Sequence, residues 1–93
     1  MEEDVLIAYD IADNRRRGRL FRLLHRWGQP LQESVFHCRV RPGGLPRLRR
    51  EVDRLIRHEE DGVLYCPLCP RCLDRMIAAG RQPSADIERT QII

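Results

Sequence analysis

The chain has 93 residues and a formal net charge of +3, from 17 cations, all of them Arg, against 14 acids. That length holds one small domain with a thin core, and 42% hydrophobic residues argue against intrinsic disorder. No apolar run approaches the roughly 18 residues of a membrane span, and the acidic start Met1-Glu2-Glu3-Asp4 argues against a secretory signal, so a cytoplasmic protein is expected.

Val5-Leu6-Ile7-Ala8-Tyr9 is a continuous apolar run, too short for a helix, and predicts a central strand buried on both faces. Asp10 follows, which puts its carboxylate at the strand's carboxyl end. Asp13 is a suitable N-cap for a helix reaching about Trp27. On that helix Leu20, Phe21, Leu23, Leu24 and Trp27 share one apolar face. Arg15, Arg19, Arg22 and Arg26 form a stripe opposite it, and Arg16 and Arg17 flank the first turn, able to point back towards the strand end. Gly28 and Pro30 stop the helix. Leu31-Gln32 is a short partner strand. Ser34 to Val40 alternates, with Phe36, Cys38 and Val40 on one face and Val35, His37 and Arg39 on the other. After a turn at Arg41-Pro42-Gly43-Gly44, Pro46 opens a second helix that ends near Arg57, with Leu48, Val52, Leu55 and Ile56 as its apolar face. Asp61-Gly62 turns into a last strand, Val63-Leu64-Tyr65-Cys66. Arg75-Met76-Ile77-Ala78-Ala79 has the character of one more short strand.

This order defines an α+β chain: a ferredoxin-like βαββαβ sandwich with two helices on one face of an antiparallel sheet, plus an extra C-terminal strand. Residues 1–80 make the domain, and residues 81–93 make a tail or edge strand. The tail ends on Ile92 and Ile93, which either pair with another sheet or fray. Helices cover only one face of a strand that is apolar on both, so a second copy is the simplest cover, and a homodimer is expected.

Charge is distributed unevenly. Residues 1–13 hold five acids and no Arg, residues 14–50 hold eleven Arg and one acid, Glu33, and residues 51–93 hold six Arg and eight acids. The strongly cationic middle is an electrostatic footprint for a polyanion. Guanidinium forks suit phosphate oxygens; a coding bias towards Arg is the simpler account of the absence of Lys, while the clustering favours nucleic acid. Arg39, Arg41, Arg47, Arg49 and Arg50 form a second basic set. Such contacts position a duplex without reading its sequence, and only five aromatics exist for stacking bases.

Asp10 is the only acid placed for metal chemistry on the central strand. Magnesium takes one or two carboxylates plus substrate phosphate, and two copies of Asp10 in a dimer supply that number. The structural alternative is an acid salt-bridged to Arg16 and Arg17. Cys66-Pro67-Leu68-Cys69-Pro70-Arg71-Cys72 holds two overlapping Cys-x-x-Cys spacings. That is the spacing of a zinc knuckle, with three ligands present and a fourth to come from Cys38, His37 or His58. A thiol pair or facultative disulfide, or small buried hydrophobes, are the other readings.

Val5-Leu6-Ile7-Ala8-Tyr9-Asp10-Ile11, Asp13-Asn14-Arg15-Arg16-Arg17, Leu23-Leu24, Gly28, Gln32-Glu33-Ser34-Val35-Phe36 and Pro67-Leu68-Cys69-Pro70-Arg71-Cys72-Leu73 occur in this order. The set resembles the CRISPR-associated protein two family, the small partner of the integrase in spacer acquisition. The resemblance implies a ferredoxin-like homodimer whose strand-one aspartates face each other. It implies a metal-dependent endonuclease on RNA or duplex DNA, using Mg2+ or Mn2+ shared between two protomers, with Asp10 as catalytic and metal residue. It also implies an adaptor that holds duplex nucleic acid with the integrase, CRISPR-associated protein one, during antiviral spacer acquisition. Arg15, Arg16, Arg17, Arg19, Arg22 and Arg26 would then bind nucleic acid, with Tyr9, Ser34 and Phe36 in support. Competing readings are a non-catalytic structural adaptor, a ferredoxin-like regulatory module and a toxin-type ribonuclease.

Overall fold

The computed structural model describes residues 2–81 together with the backbone of residues 91–92. Its organising element is β1 (Glu3–Asp10), which runs antiparallel between β3 (Val35–Val40) and β4 (Gly62–Leu68). The sheet is completed by β2 (Gly28–Gln32), giving the order β2-β3-β1-β4. Helices α1 (Asn14–His25) and α2 (Gly44–Leu55) connect the strands. The expected βαββαβ sandwich is therefore present.

Successive strand residues point to opposite faces, and β1 sorts its side chains accordingly. Val5, Ile7 and Tyr9 are buried towards the helices, where they join Phe36, Cys38 and Val40 of β3 and Leu20, Leu23, Leu24, Leu48 and Val52 of the helices. Leu6, Ala8 and Asp10 face the other way, in register with His37 and Val35 of β3 and with Cys66, Leu64 and Gly62 of β4. Neither α1 nor α2 covers that side, and Leu64 is 67% exposed.

Local chemistry explains the element ends. The Asp13 carboxylate accepts the Arg16 amide at 2.9 Å and caps α1 as expected. The helix stops at His25, two residues before Trp27, because Gly28 already belongs to β2. Gly28 and Pro30 therefore do more than end a helix, since both lie inside the edge strand. A Cβ on residue 28 would fall on the His37 carbonyl and on Cα of Cys38, so only glycine lets β2 approach β3 here. The fourth strand also outruns the expected residues and includes Pro67, tolerable on the opposite edge of the sheet. Helix α2 starts from Gly43 in the left-handed region (φ 80°) and ends at Leu55, short of Arg57. Phe21, expected in the core, is 41% exposed and meets Phe36 edge-on at 5.3 Å.

After β4 come a five-residue helix, α3 (Pro70–Asp74), and β5 (Ile77–Ala78). The expected strand in this region is thus reduced to two residues. It pairs in parallel with β6 (Gln91–Ile92), so part of the tail pairs with its own chain. Residues 82–90 and Ile93 lie outside the described residues, and the expectations for a tail over residues 81–93 fall largely there.

Phe36 is fully buried and meets the rings of Tyr9, Phe21 and His25. Phe36→Ala is expected to cost about 3–5 kcal/mol of stability through the cavity it leaves, read as a lower urea midpoint in equilibrium unfolding.

Candidate functional site

Asp10 closes β1 on the uncovered face. Its register partner on β4 is Gly62, which has no side chain to shield it. The carboxylate is exposed, and no hydrogen bond or ion pair engages it among the described residues. Tyr9 points the opposite way, into the core, and burial raises its phenol above the ordinary value. Ser34 sits in the β2–β3 turn at φ 66°, and its carbonyl accepts the Tyr9 amide at 3.0 Å. The turn is thereby fixed beside the end of β1.

The three arginines opening α1 have separate fates. Arg15 is exposed to solvent. Arg16 does not reach Asp10. Its Nε donates to Asp61 Oδ2 at 2.9 Å and its Nη2 to Oδ1 at 3.2 Å, a fork on a carboxylate whose side chain is wholly covered. Asp61 also accepts the amides of Ala12 and Arg57, so one carboxylate ties together the ends of β1, α1, α2 and β4. Arg16, backed by those two amides, holds the Asp61 carboxyl well below the usual carboxylate range. Arg17 donates to the Ile11 carbonyl at 2.8 Å and to Asn14 at 2.6 Å. It also lines a cavity of about 620 Å³ with Tyr9, Phe21, Pro30, Glu33 and Ser34.

The stripe gathers elsewhere. Arg19, Arg22 and Arg26 line a groove of about 680 Å³ between α1 and α2, and α2 adds Glu51 and Arg54. Glu51 Oε2 is buried there without a hydrogen-bond partner. This groove lies on the helical layer, with the sheet between it and the face that carries Asp10. Members of the second basic set make separate contacts. Arg47 stacks on Trp27 and Arg49 on Tyr65, each at 5.8 Å, while Arg39 reaches Asp4 at 3.4 Å. Arg26, Arg39, Arg41 and Arg47 surround a second cavity of about 420 Å³ beside Trp27.

Sequence reasoning missed two groups. Asp4, 9% exposed, accepts from or pairs with His37 Nε2 at 2.8 Å and Arg39 on the uncovered face. Asp4 and Arg39 sit directly opposite across β1 and β3, a cross-strand ion pair that only the register reveals. The other group is Arg54 and Glu51, which only the packing of α2 against α1 brings beside the stripe.

The cysteines do not converge on one point. Cys38 is fully buried on the helical face, where burial pushes its thiol up to about 12. His37 is engaged by Asp4. Cys66 is exposed on β4, in register with Leu6, so it is no small core residue. Cys69 and Cys72 are also exposed, and they approach each other at 3.3 Å. Among the described residues no three His, Cys, Asp or Glu side chains gather as a metal centre.

An antiparallel sheet in the order β2-β3-β1-β4 with α1 and α2 as its connections defines the class of small ferredoxin-like α+β proteins. Residues 3–76 match the family model for CRISPR associated protein Cas2, and the chain belongs to that family. It is 35% identical over 78 residues to CRISPR-associated endoribonuclease Cas2 3 of Synechocystis, covering 84% of this chain and 85% of that one. It is 38% identical over 68 residues to an Archaeoglobus fulgidus CRISPR-associated endoribonuclease Cas2, covering 72% of each. Among solved structures, a Thermus thermophilus hypothetical protein superposes with a TM-score of 0.80 at 31% identity, covering 90% of this chain and 98% of its own. Streptococcus pyogenes Cas2 gives 0.69 at 25% identity, covering 77% and 92%. The chain is therefore a CRISPR-associated protein of the nuclease class. No helix among the described residues is long and apolar enough to cross a membrane.

Asp61 offers a stability test. Its folded pKa lies below the unfolded value of about 3.9, so its contribution is present above that value and is lost as pH falls through the folded pKa. Asp61→Asn is expected to lower Tm by several degrees at pH 7. The gap between variant and wild type should narrow steadily as the melts are repeated below pH 4.

Proposed function

We propose that this protein is a metal-dependent endonuclease of CRISPR spacer acquisition, acting as a homodimer that also holds duplex nucleic acid. The observation that carries this reading is Asp10: an exposed carboxylate with no partner among the described residues, at the end of the central strand, on a sheet face that α1 and α2 leave bare. Leu6, Ala8, Val35, Leu64 and Leu68 share that face, and a second copy is the occupant whose Asp10 completes a pair.

One chain offers a single carboxylate, and a dimer offers two, which fits magnesium or manganese, since these ions keep several waters and take one or two carboxylates with substrate phosphate. Bound between the two Asp10 side chains, such an ion would neutralise phosphate charge and acidify a water. The chain's own residues do the rest. Arg17, braced by the Ile11 carbonyl and Asn14, is held at the same end of the molecule and can take a phosphate. Arg19, Arg22, Arg26 and Arg54 hold a phosphate backbone along the α1–α2 groove. Arg16 serves folding, through Asp61. The relatives are named endoribonucleases, so RNA is the first substrate to assay and duplex DNA the second.

The opposite placement of Asp10 and the groove separates cutting from holding, which also favours an adaptor role alongside the integrase, CRISPR-associated protein one. With Mg2+ or Mn2+, Asp10→Ala should cut cleavage at least about a hundredfold while leaving duplex affinity unchanged. Equal cleavage by the variant and the wild type would attribute activity to a contaminant. Replacing Arg19, Arg22 and Arg26 together by Ala should weaken duplex binding and reduce the salt slope of log K by about 2 to 3. Leu64→Asp should give a monomer by light scattering and lose cleavage with Asp10 intact. Deleting residues 88–93 should reduce co-purification with the integrase; unchanged association would remove the tail from that contact.

A further inference from the structure

Cys69 and Cys72 have no part in the nuclease reading, yet their arrangement is specific. Cys69 is the N-cap of α3, and its sulfur accepts the Cys72 amide at 3.4 Å. Pro70 follows at the first helical position and pre-sets the backbone there. The two thiols share a hydrogen bond across 3.3 Å. The Leu73 amide donates to the Cys69 carbonyl at 3.1 Å, and Leu73 itself is 1% exposed, so the turn carrying both thiols is anchored to the body of the domain. Both sulfurs face solvent. No third ligand joins them, because Cys66 lies on the uncovered face of β4 and no group of three metal-ligating side chains exists among the described residues. A closed zinc site requires four ligands.

The geometry points to a redox-active dithiol, in which Cys69 and Cys72 form a reversible disulfide by exchange with a low-molecular-weight disulfide such as oxidised glutathione. Cys69 is the attacking group. The amide and thiol of Cys72 both stabilise its thiolate and lower its pKa, while donation to Cys69 raises that of Cys72. The Cys69 thiolate attacks one sulfur of the small disulfide. A mixed disulfide forms and one small thiolate leaves. Cys72 then loses its proton to solvent and attacks the Cys69 sulfur, expelling the second small thiolate. Two electrons and two protons pass in all from the protein dithiol to the small disulfide, giving two small thiols. The sulfurs have only to close from contact to a bond of about 2.05 Å, within a turn whose ends are already held.

The full-length chain would be equilibrated in glutathione buffers from fully reduced to fully oxidised, alkylated with a maleimide, and digested with trypsin without reduction. Arg71 lies between the two cysteines, so digestion separates residues 58–71 from residues 72–75. The expected result is paired loss of two reactive thiols and a species in which these two peptides are joined. Cys66→Ser should leave the joined species in place, which assigns the bond to Cys69. Cys72→Ser should stop the reaction at a glutathione adduct on Cys69. Full alkylation of Cys69 and Cys72 in oxidised buffer would overturn the proposal. So would disappearance of the joined species in Cys66→Ser, or retention of one zinc per chain that shields both thiols.

Discussion

The period-two alternation of β1 governs the rest of the molecule. One strand must feed a hydrophobic core on one side and present a surface on the other, and its pleat leaves no freedom in which residue does which. Val5, Ile7 and Tyr9 go inward and are all buried. Leu6, Ala8 and Asp10 then go outward. A slip of one residue against β3 and β4 would turn Asp10 into the core and Ile7 into solvent. The candidate metal-binding carboxylate is thus held in place by the burial of its neighbours, not by hydrogen bonds of its own. That leaves its oxygens free for a ligand.

A second constraint is electrostatic. Seventeen guanidinium groups in a chain this small cannot all be used alike. Arg16 is spent on Asp61, with both its Nε and Nη2 engaged and the carboxylate covered, and that contact fastens the end of β1 to the start of β4. Arg47 and Arg49 lie over aromatic rings. Arg19, Arg22, Arg26 and Arg54 are left crowded along a groove with one acid among them. Charges of one sign held close together are a cost to the folded chain that a bound polyanion offsets. A groove of this kind favours phosphate backbone over any neutral ligand.

The strands, both helices and the core were legible because each carries a period: 2 in Phe36, Cys38 and Val40, and near 3.6 in Leu20, Leu23, Leu24 and in Leu48 and Val52. Asp10 was legible because its position follows from the strand it ends. What escaped depends on contacts between distant segments. Arg16 and Arg17 are adjacent in sequence and looked equivalent, but Asp61, forty-five positions away from Arg16, distinguishes them. Asp4 and Arg39 pair only once the β1–β3 register exists. Gly28 and Pro30 read as helix breakers, and their place in β2 depends on how closely that strand lies against β3. The three clustered cysteines share a spacing, but β4 holds Cys66 in the sheet, ahead of the turn that brings Cys69 and Cys72 together.

The sheet ends on both sides in a strand that contains a proline, Pro30 in β2 and Pro67 in β4. A proline supplies no amide hydrogen, so a foreign strand laid along either border meets a missing rung. Sideways growth into fibrillar or amorphous aggregates is discouraged on both flanks at once. Association is thereby turned from the borders of the sheet to its exposed face, and the stickiness of the chain has a direction.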